Sequence, residues 1–323
     1  MGTSCGVSSV FVPVGGRDYP RTVGEFNAWF VDEDVCLEYL ARLRWPDGFV
    51  CAACGGRQAW RLARRRKWRC ASCRLETSVT AGTIFADSHI PLISWFAACW
   101  YVTSQKPGAS ALGLQRSLGL GSYRSAWSML QKLRRAMVRP DRELLSGEIE
   151  VDETYVGGPK GRGSGRGTPG KTIIAIAVEA RPGGRSGRVR LARIRDVSEP
   201  TLTAFVADAV LPGSVIYTDG WQGYCGLDEA GYIHQSISLA ASGDPAHVVM
   251  PRAHRVASLL KRWLLGTHQG AVRAHQLDFY LDEYVFRFNR RTSRHRGLLF
   301  YRLLEQAMQI DPVPIRKLVG GRP

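Results

Sequence analysis

The residues with the sharpest chemical signature in this sequence are four cysteines, Cys51-x2-Cys54 and Cys70-x2-Cys73, with fifteen residues between the pairs. Four thiolates at this spacing close a tetrahedral zinc site, each C-x-x-C pair supplying a tight knuckle. An accidental cluster or a redox pair is the competing reading, but two pairs at matched spacing seldom coincide. The stretch between them, GGRQAWRLARRRKWR, alternates aromatic and basic residues. A short β-hairpin there would present Arg64, Arg65, Arg66 and Lys67 to phosphate, or would be a purely structural or protein-binding ribbon. Cys5, Cys36, Cys99 and Cys225 are scattered and read as structural.

Two isolated carboxylates form the second constellation. Asp152 sits within EIEVDETYVGG, an alternating strand pattern, and Asp219 ends SVIYTDGWQGY at a strand-to-turn junction. An Asp in either place is commonly a turn former or a cap. Hard cations such as Mg²⁺, however, take oxygen donors held on a rigid sheet, and two strands of one sheet can bring two carboxylates together. A helix over 253–266 places His254, Ser258 and Lys261 on one face, at i, i+4 and i+7. Phosphoryl transfer with two metals needs carboxylates that hold cations about 4 Å apart and a cation nearby for the phosphate charge. Lys261 suits the latter role, and Arg262 beside it is a candidate DNA contact. His254 as a helix N-cap or a phosphate contact is the plainer alternative.

These side chains need elements to position them. Residues 24–44 have apolar positions at helical spacing and read as one or two short helices. The pattern from about 91 to 139 is again helical, broken at Pro107-Gly108 and at LGLGS, so it has helix-turn-helix character. Its last helix carries Trp127, Leu130, Leu133 and Met137 on one face and Arg124, Lys132, Arg134, Arg135 and Arg139 elsewhere. That helix is either a recognition helix or an amphipathic helix with an ordinary solvated face. From residue 147 the period shortens to that of strands: GEIEVDETYVGG, TIIAIAVEA and RVRLARIRD predict an antiparallel meander. The glycine-rich basic segment PKGRGSGRGTPGK separates the first two and has nothing apolar to bury. Helix, strand and helix follow, at 202–211, 214–220 and 253–266, giving an α/β arrangement. YLDEYVFRFNRR is an aromatic and basic helix whose Arg287, Arg290 and Arg291 could track a DNA backbone.

Composition narrows the partner. With 44 Lys and Arg against 28 Asp and Glu among 323 residues, the formal charge is +16. A polyanion is the natural counterpart, nucleic acid before an acidic membrane, because basic residues occur in every region and no run of about 18 apolar residues exists. The N-terminus lacks the basic start and apolar core of a secretory signal, which predicts a cytoplasmic protein with reduced cysteines. The length predicts two or three domains.

Taken together, CAAC with CASC, TSVTAGTIFADSHIPLISWFAA, EVDETYVGG, YTDGWQGY, HRVASLLKRWLLGTHQGAV and LDFYLDEYVFRFNRR resemble the bacterial insertion-sequence transposases of the DDE superfamily, in the group with an N-terminal zinc ribbon. The resemblance runs from about 45 to 305 and lies in the order of the blocks more than in any one of them. It implies an α/β, RNase H-like catalytic core, a mixed sheet with flanking helices, behind a zinc ribbon and a small helix-turn-helix-like block. The expected domains are an N-terminal helical segment (1–44), the ribbon (45–82), a helical DNA-binding block (83–140), the catalytic domain (147–305) and a tail (306–323). It further implies structural Zn²⁺, catalytic Mg²⁺ or Mn²⁺, nicking at the element's terminal inverted repeats and joining to target DNA. A homo-oligomer on double-stranded DNA, in the nucleoid and without a membrane, goes with that reading. Asp152 and Asp219 match the first and second catalytic aspartates, and Lys261 the lysine seven residues beyond the third position. At that third position, where the superfamily usually has Glu and this group sometimes Asn, this chain has His254, which the resemblance makes the third catalytic residue. Imidazole ligates Mn²⁺ better than Mg²⁺, and Glu283 or Asp244 are alternative oxygen donors. The rival class is a DNA-binding regulator in which the α/β part is a scaffold and the two aspartates do nothing.

Overall fold

A computed structural model describes residues 11–139, 142–157, 171–237, 250–270 and 272–320. Asp244 and nearly all of the glycine-rich basic segment lie outside the described residues. The chain divides into two compact units, residues 1–106 with 293–312, and residues 107–292 with 313–323. Among the described residues no helix is long and apolar enough to cross a membrane.

In the first unit, α1 (Val23–Trp29) and α2 (Glu33–Arg44) each start where a side chain satisfies an orphan backbone N–H, Thr22 accepting from Glu25 and Asp32 from Val35. The ribbon follows as an antiparallel sheet in the order β1 (Ala59–Leu62), β2 (Lys67–Cys70), β3 (Glu76–Thr77). Helix α3 (Leu92–Ser104) completes the unit with a helix from much later in the chain, residues Arg296–Ala307. Their meeting is aromatic: Phe26 stacks on Trp100 at 5.0 Å, Phe30 meets Phe96 at 4.8 Å, and the Phe300 ring reaches both Phe26 and Phe30.

The second unit opens with the helical hairpin α4 (Ala111–Leu118) and α5 (Tyr123–Arg135), with Gly119 in the left-handed conformation that ends α4. The expected helical block at 83–140 is therefore divided: α3 packs in the first unit and the α4–α5 hairpin in the second. The division has a physical cause, because α5 is pinned to a late helix by a buried ion pair described below. Residues 293–305, expected to lie with the catalytic domain, also fall in the first unit.

The main sheet has five strands in the order β6-β5-β4-β7-β8, with β4 (Glu148–Gly157), β5 (Lys171–Arg181) and β6 (Arg185–Ile194) antiparallel, as the meander predicted. On the other side β4 pairs parallel with β7 (Val215–Thr218), which pairs parallel with β8 (Ile233–Ser236). This mixed sheet with helices on both faces is the RNase H-like core. Its faces follow strand alternation. Ile174, Ile176 and Val178 of β5 pack under α7 (Pro251–His268) and α8 (Leu277–Asn289). Ala175 and Ala177 face α6 (Glu199–Ala209) and the turn at 222–227. The helix at Arg296–Ala307 is α9 and the short closing helix Ile315–Gly320 is α10. Strand β8 had no counterpart in the sequence reading; its four residues, IHQS, have little apolar pattern to show.

Candidate functional site

Register alone brings the two aspartates together. In the parallel pairing Glu148 lies opposite Val215 and Glu150 opposite Tyr217. Two residues further on, Asp152 is level with Asp219, on strands that lie about 4.8 Å apart. Alternation places Glu150 and Asp152 on the face toward α7, while Ile149, Val151 and Glu153 share the face toward Tyr224. Asp219 follows the last residue of β7, and carboxylate oxygens of Asp152, Glu153 and Asp219 come within 4.8 Å of one another. Glu153 escaped the sequence reading because strand alternation separates neighbours; the signal available was the acidic run EIEVDE itself.

The block YTDGWQGY now has a local explanation. Asp219 accepts from the Trp221 backbone N–H at 3.1 Å, closing the turn after β7, and the Trp221 indole donates to the Val197 carbonyl at 2.9 Å. A Cβ on Gly223 would collide with that carbonyl and the indole, so the position has room only for glycine. The turn delivers the buried Tyr224, whose hydroxyl donates to Glu153 Oε2 at 3.1 Å. Burial first, then the negative charge of Glu153, Asp152 and Asp219, drives the Tyr224 phenol far above its ordinary range and keeps it a proton donor.

The opposite wall is α7. His254 Nε2 stands 3.7 Å from Asp152 Oδ2. Two turns on, desolvation and then Lys171 push the Lys261 ammonium below its ordinary range, while Asp152 pulls it upward. Lys261 also lines a cavity of about 590 Å³ with Tyr155 and Thr172. The helix is fixed at its start by Glu150. This buried carboxylate accepts from the Arg252 and Ala253 backbone N–H groups, both at 2.8 Å, and from the Arg252 guanidinium at 2.7 Å. Pro251, the first residue of the helix, has no N–H to satisfy. Glu150 was not singled out from the sequence.

Glu283 is removed as an alternative third oxygen donor. It is fully buried and bonded to Arg134 and to Arg287, each at 2.8 Å. Burial alone would raise its carboxyl, but the Arg134 and Arg287 guanidiniums hold it down at about 2. The same pair corrects the assignment of Arg134 to a DNA-facing helix surface. Its side chain is 1% exposed, reaches the Ala109 carbonyl and lies 3.9 Å over the Tyr280 ring. Of the other basic positions on α5, Arg124 is exposed and Lys132 and Arg135 are half-buried. On α7 Arg262 is exposed, whereas Arg287 is half-buried against Glu283. Arg290 and Arg291 each lie 4.1 Å over a phenylalanine ring, Phe286 and Phe288 respectively.

The four ribbon cysteines converge. Cys51 and Cys73 sulfurs are 3.6 Å apart, as are those of Cys54 and Cys70. A tetrahedron with Zn–S bonds of about 2.3 Å has an edge of about 3.8 Å, so this donor set fits zinc. Backbone N–H groups point at the sulfurs, those of Ala53 and Cys54 lowering the Cys51 thiol and those of Cys73 and Ser72 lowering Cys70 to about 6. Gly56 is required by closeness: a Cβ there would lie 3.1 Å from Cys70 Sγ and 3.3 Å from Cys54 Sγ. In the hairpin, Arg64 to Lys67 are all exposed, with Arg65 paired to Glu76 at 3.0 Å and Arg66 to Asp34 at 3.6 Å.

Residues 31–76 match the transposase zinc-ribbon domain, and residues 144–289 match the ISXO2-like transposase domain. The chain belongs to the zinc-ribbon insertion-sequence transposases of the DDE superfamily. A curated relative, "Uncharacterized protein in transposable element ISH50" of Halobacterium salinarum, is 28% identical over 288 residues, covering 83% of this chain and 94% of the relative. No solved structure matches the chain. In this transposase the ribbon match contains all four cysteines, and the second match contains Asp152, Glu153, Asp219, His254 and Lys261.

Proposed function

We propose that this transposase binds the terminal inverted repeats of its element, cuts the DNA there in a divalent-metal-dependent step, and joins the freed end to target DNA. The observation that carries the reading is the convergence of Asp152, Glu153 and Asp219 from two parallel strands, with His254 at 3.7 Å from Asp152. A regulator with an inert scaffold has no use for that arrangement.

The carboxylates of Asp152 and Asp219 fit a hard divalent cation, with Glu153 as a further oxygen donor and His254 Nε2 as a nitrogen donor beside them. Bound there, Mg²⁺ or Mn²⁺ would supply neutralisation of phosphate charge and a water of lowered pKa. The chain's own groups do the rest. Lys261 offers its ammonium to the phosphate undergoing transfer, and Tyr224, protonated, steadies Glu153. In the first step water attacks the terminal phosphodiester and the P–O bond to the 3′ oxygen breaks, leaving a 3′-hydroxyl. That hydroxyl then attacks a target phosphodiester, forming a new P–O bond as the target's own P–O bond to its 3′ oxygen breaks and leaves a 3′-hydroxyl on the target strand. Arg64, Lys67, Arg124 and Arg262 are among the exposed cations offered to DNA, with the protein acting in the nucleoid as a homo-oligomer that holds two ends together.

The test is cleavage and strand transfer by zinc-loaded full-length protein on its element's terminal DNA, in Mg²⁺ and in Mn²⁺. Asp152→Ala and Asp219→Ala should abolish joined products while leaving end binding within about twofold. Comparing His254→Ala with Glu153→Gln then tells which of the two is the third donor. Metal-dependent joining by the Asp152 and Asp219 variants would refute the mechanism, and end binding without cleavage by the wild type would favour the regulator.

A further inference from the structure

Beside the start of α7 the second unit has a groove of about 640 Å³ lined, among the described residues, by five arginines, Arg181, Arg185, Arg188, Arg255 and Arg291, and by no carboxylate. Arg188 is neutralised from behind by Glu179 at 2.6 Å and Glu143 at 3.1 Å. Arg181 is only loosely held by Glu179, at 4.0 Å, and is 60% exposed. Arg291 is fixed without any loss of charge. Its guanidinium donates to the carbonyls of Phe288, Gly187 and Ser186 and lies over the Phe288 ring, 4.1 Å from its centroid. Burial and the like charge of Arg181 and Arg255 push Arg291 below its ordinary range, so the groove holds cations against their mutual repulsion.

Among the described residues the groove offers neither a free carboxamide nor an open aromatic ring to a base. Asn289, its one carboxamide, is spent on the backbone of β6, accepting from the Val189 N–H at 2.7 Å and donating to the Val189 carbonyl at 3.2 Å. The Phe288 face that would stack on a base is covered by Arg291. Fixed guanidiniums without free hydrogen-bonding amides or open rings favour phosphates over base edges. The site is also tied to the catalytic helix: Arg255 follows His254 on α7, and the Arg252 guanidinium, held by Glu150, donates to the Arg185 carbonyl at 3.3 Å. A second cavity shares Arg188 and Asn289 and adds Arg139, Arg142, Arg190 and Arg290 together with one carboxylate, Glu143, so cations still outnumber the anion there.

We propose that this arginine groove is a sequence-independent track for the phosphate backbone of duplex DNA lying next to the catalytic centre. It rests on the DNA-handling role proposed above and adds to it a surface that grips any duplex, distinct in chemistry from whatever reads the element's end.

The experiment measures binding of the full-length zinc-loaded protein to a random-sequence duplex and to its element's end, between 50 and 200 mM salt, for the wild type, Arg185→Ala, Arg255→Ala and the double variant. Each lost phosphate contact lowers the log–log salt slope by about 0.9, which is about 3.5-fold in affinity over that salt range. Both single variants should lose this much on both duplexes, leaving the preference for the element's end unchanged, and Arg255→Lys should keep the slope. Thermal unfolding at the wild-type temperature confirms that the variants remain folded; if either does not, charge reversal at Arg181→Glu gives the same readout from another wall. Unchanged slopes would overturn the groove alone, as would a loss confined to the element's end. Duplex binding without cleavage would strike only the proposed reaction, and no duplex binding by the wild type would overturn both.

Discussion

Glu150 lets the link between fold and catalysis be tested by changing one atom type. Its carboxylate is 4% exposed and accepts three hydrogen bonds, two from the first turn of α7 and one from Arg252. His254 is the fourth residue of that helix, so the anchor lies within one turn of it. In Glu150→Ala all three donors lose their acceptor. Breaking one side of a buried ion pair costs about 3–5 kcal/mol, a large part of a total stability of about 5–15 kcal/mol, so that variant confounds folding with function. Glu150→Gln is the informative change. The amide oxygen can still receive the two backbone N–H groups, but its –NH₂ then faces the Arg252 guanidinium, donor against donor. The loss should be that of one charge-assisted hydrogen bond, about 1.5–3 kcal/mol by urea denaturation. A first turn that frays moves His254 relative to Asp152, and a displacement of about 1 Å can cost about 100-fold in rate. Single-turnover cleavage should therefore fall about 10- to 100-fold, with end binding unchanged. Glu150→Gln that loses stability but cleaves at the wild-type rate would refute the positioning argument, and one that changes neither would refute the cap itself.

Other expectations follow from single contacts. Gly56→Ala sets a methyl group against the Cys54 and Cys70 sulfurs, so zinc release to a competing chelator should occur at a roughly tenfold lower chelator concentration, about 1.4 kcal/mol. Glu283, held at about 2 in the folded protein against about 4.3 unfolded, contributes stability that is fully present above the unfolded value and is lost as pH falls toward 2. Urea denaturation should accordingly show Glu283→Gln several kcal/mol less stable than wild type at pH 7, on the order of 3, with the gap closing between pH 4 and pH 2; a gap independent of pH would contradict the ion-pair origin. His254→Glu replaces imidazole by a hard oxygen donor, so half-maximal cleavage should need less Mg²⁺ and the advantage of Mn²⁺ should shrink, as read from metal titrations.

Much of this was legible from patterns that depend on local physics. Four cysteines announce a zinc knuckle because ligand spacing is a property of the chain itself. The strand meander and α7 show through hydrophobic period, and Asp152 and Asp219 stand out as charges where strands want apolar or β-branched residues. What escaped depends on partners distant in sequence. Arg134 looked like one of several basic residues on an amphipathic helix, yet it lies four positions after Leu130 and one after Leu133, on the stripe that packs. Only Glu283, 149 residues away, makes its burial sensible. Glu150 and Glu153 were hidden for the same reason. Nothing local tells that the first turn of a helix 102 residues later ends on one, or that a tyrosine 71 residues later reaches the other.

Strand β4 concentrates these dependencies. Within four residues it offers Glu150 to the start of α7, Asp152 to the register-matched Asp219 and to His254, and Glu153 to Tyr224. Carboxylates brought within 4.8 Å repel, by about 3 kcal/mol per charged pair at an effective dielectric of 20, so the arrangement has to be held rather than found. The strand is held by nine residue pairs to β5 and by parallel pairing to β7, and its apolar members Ile149 and Val151 are fully buried. The sheet thus supplies in packing what the acidic cluster costs in electrostatics, and cation binding at that cluster would recover the cost. Acidic residues two and three apart on one buried strand make little sense as core, but they do make sense as the rigid half of a site whose other half is a helix end fixed by the same strand.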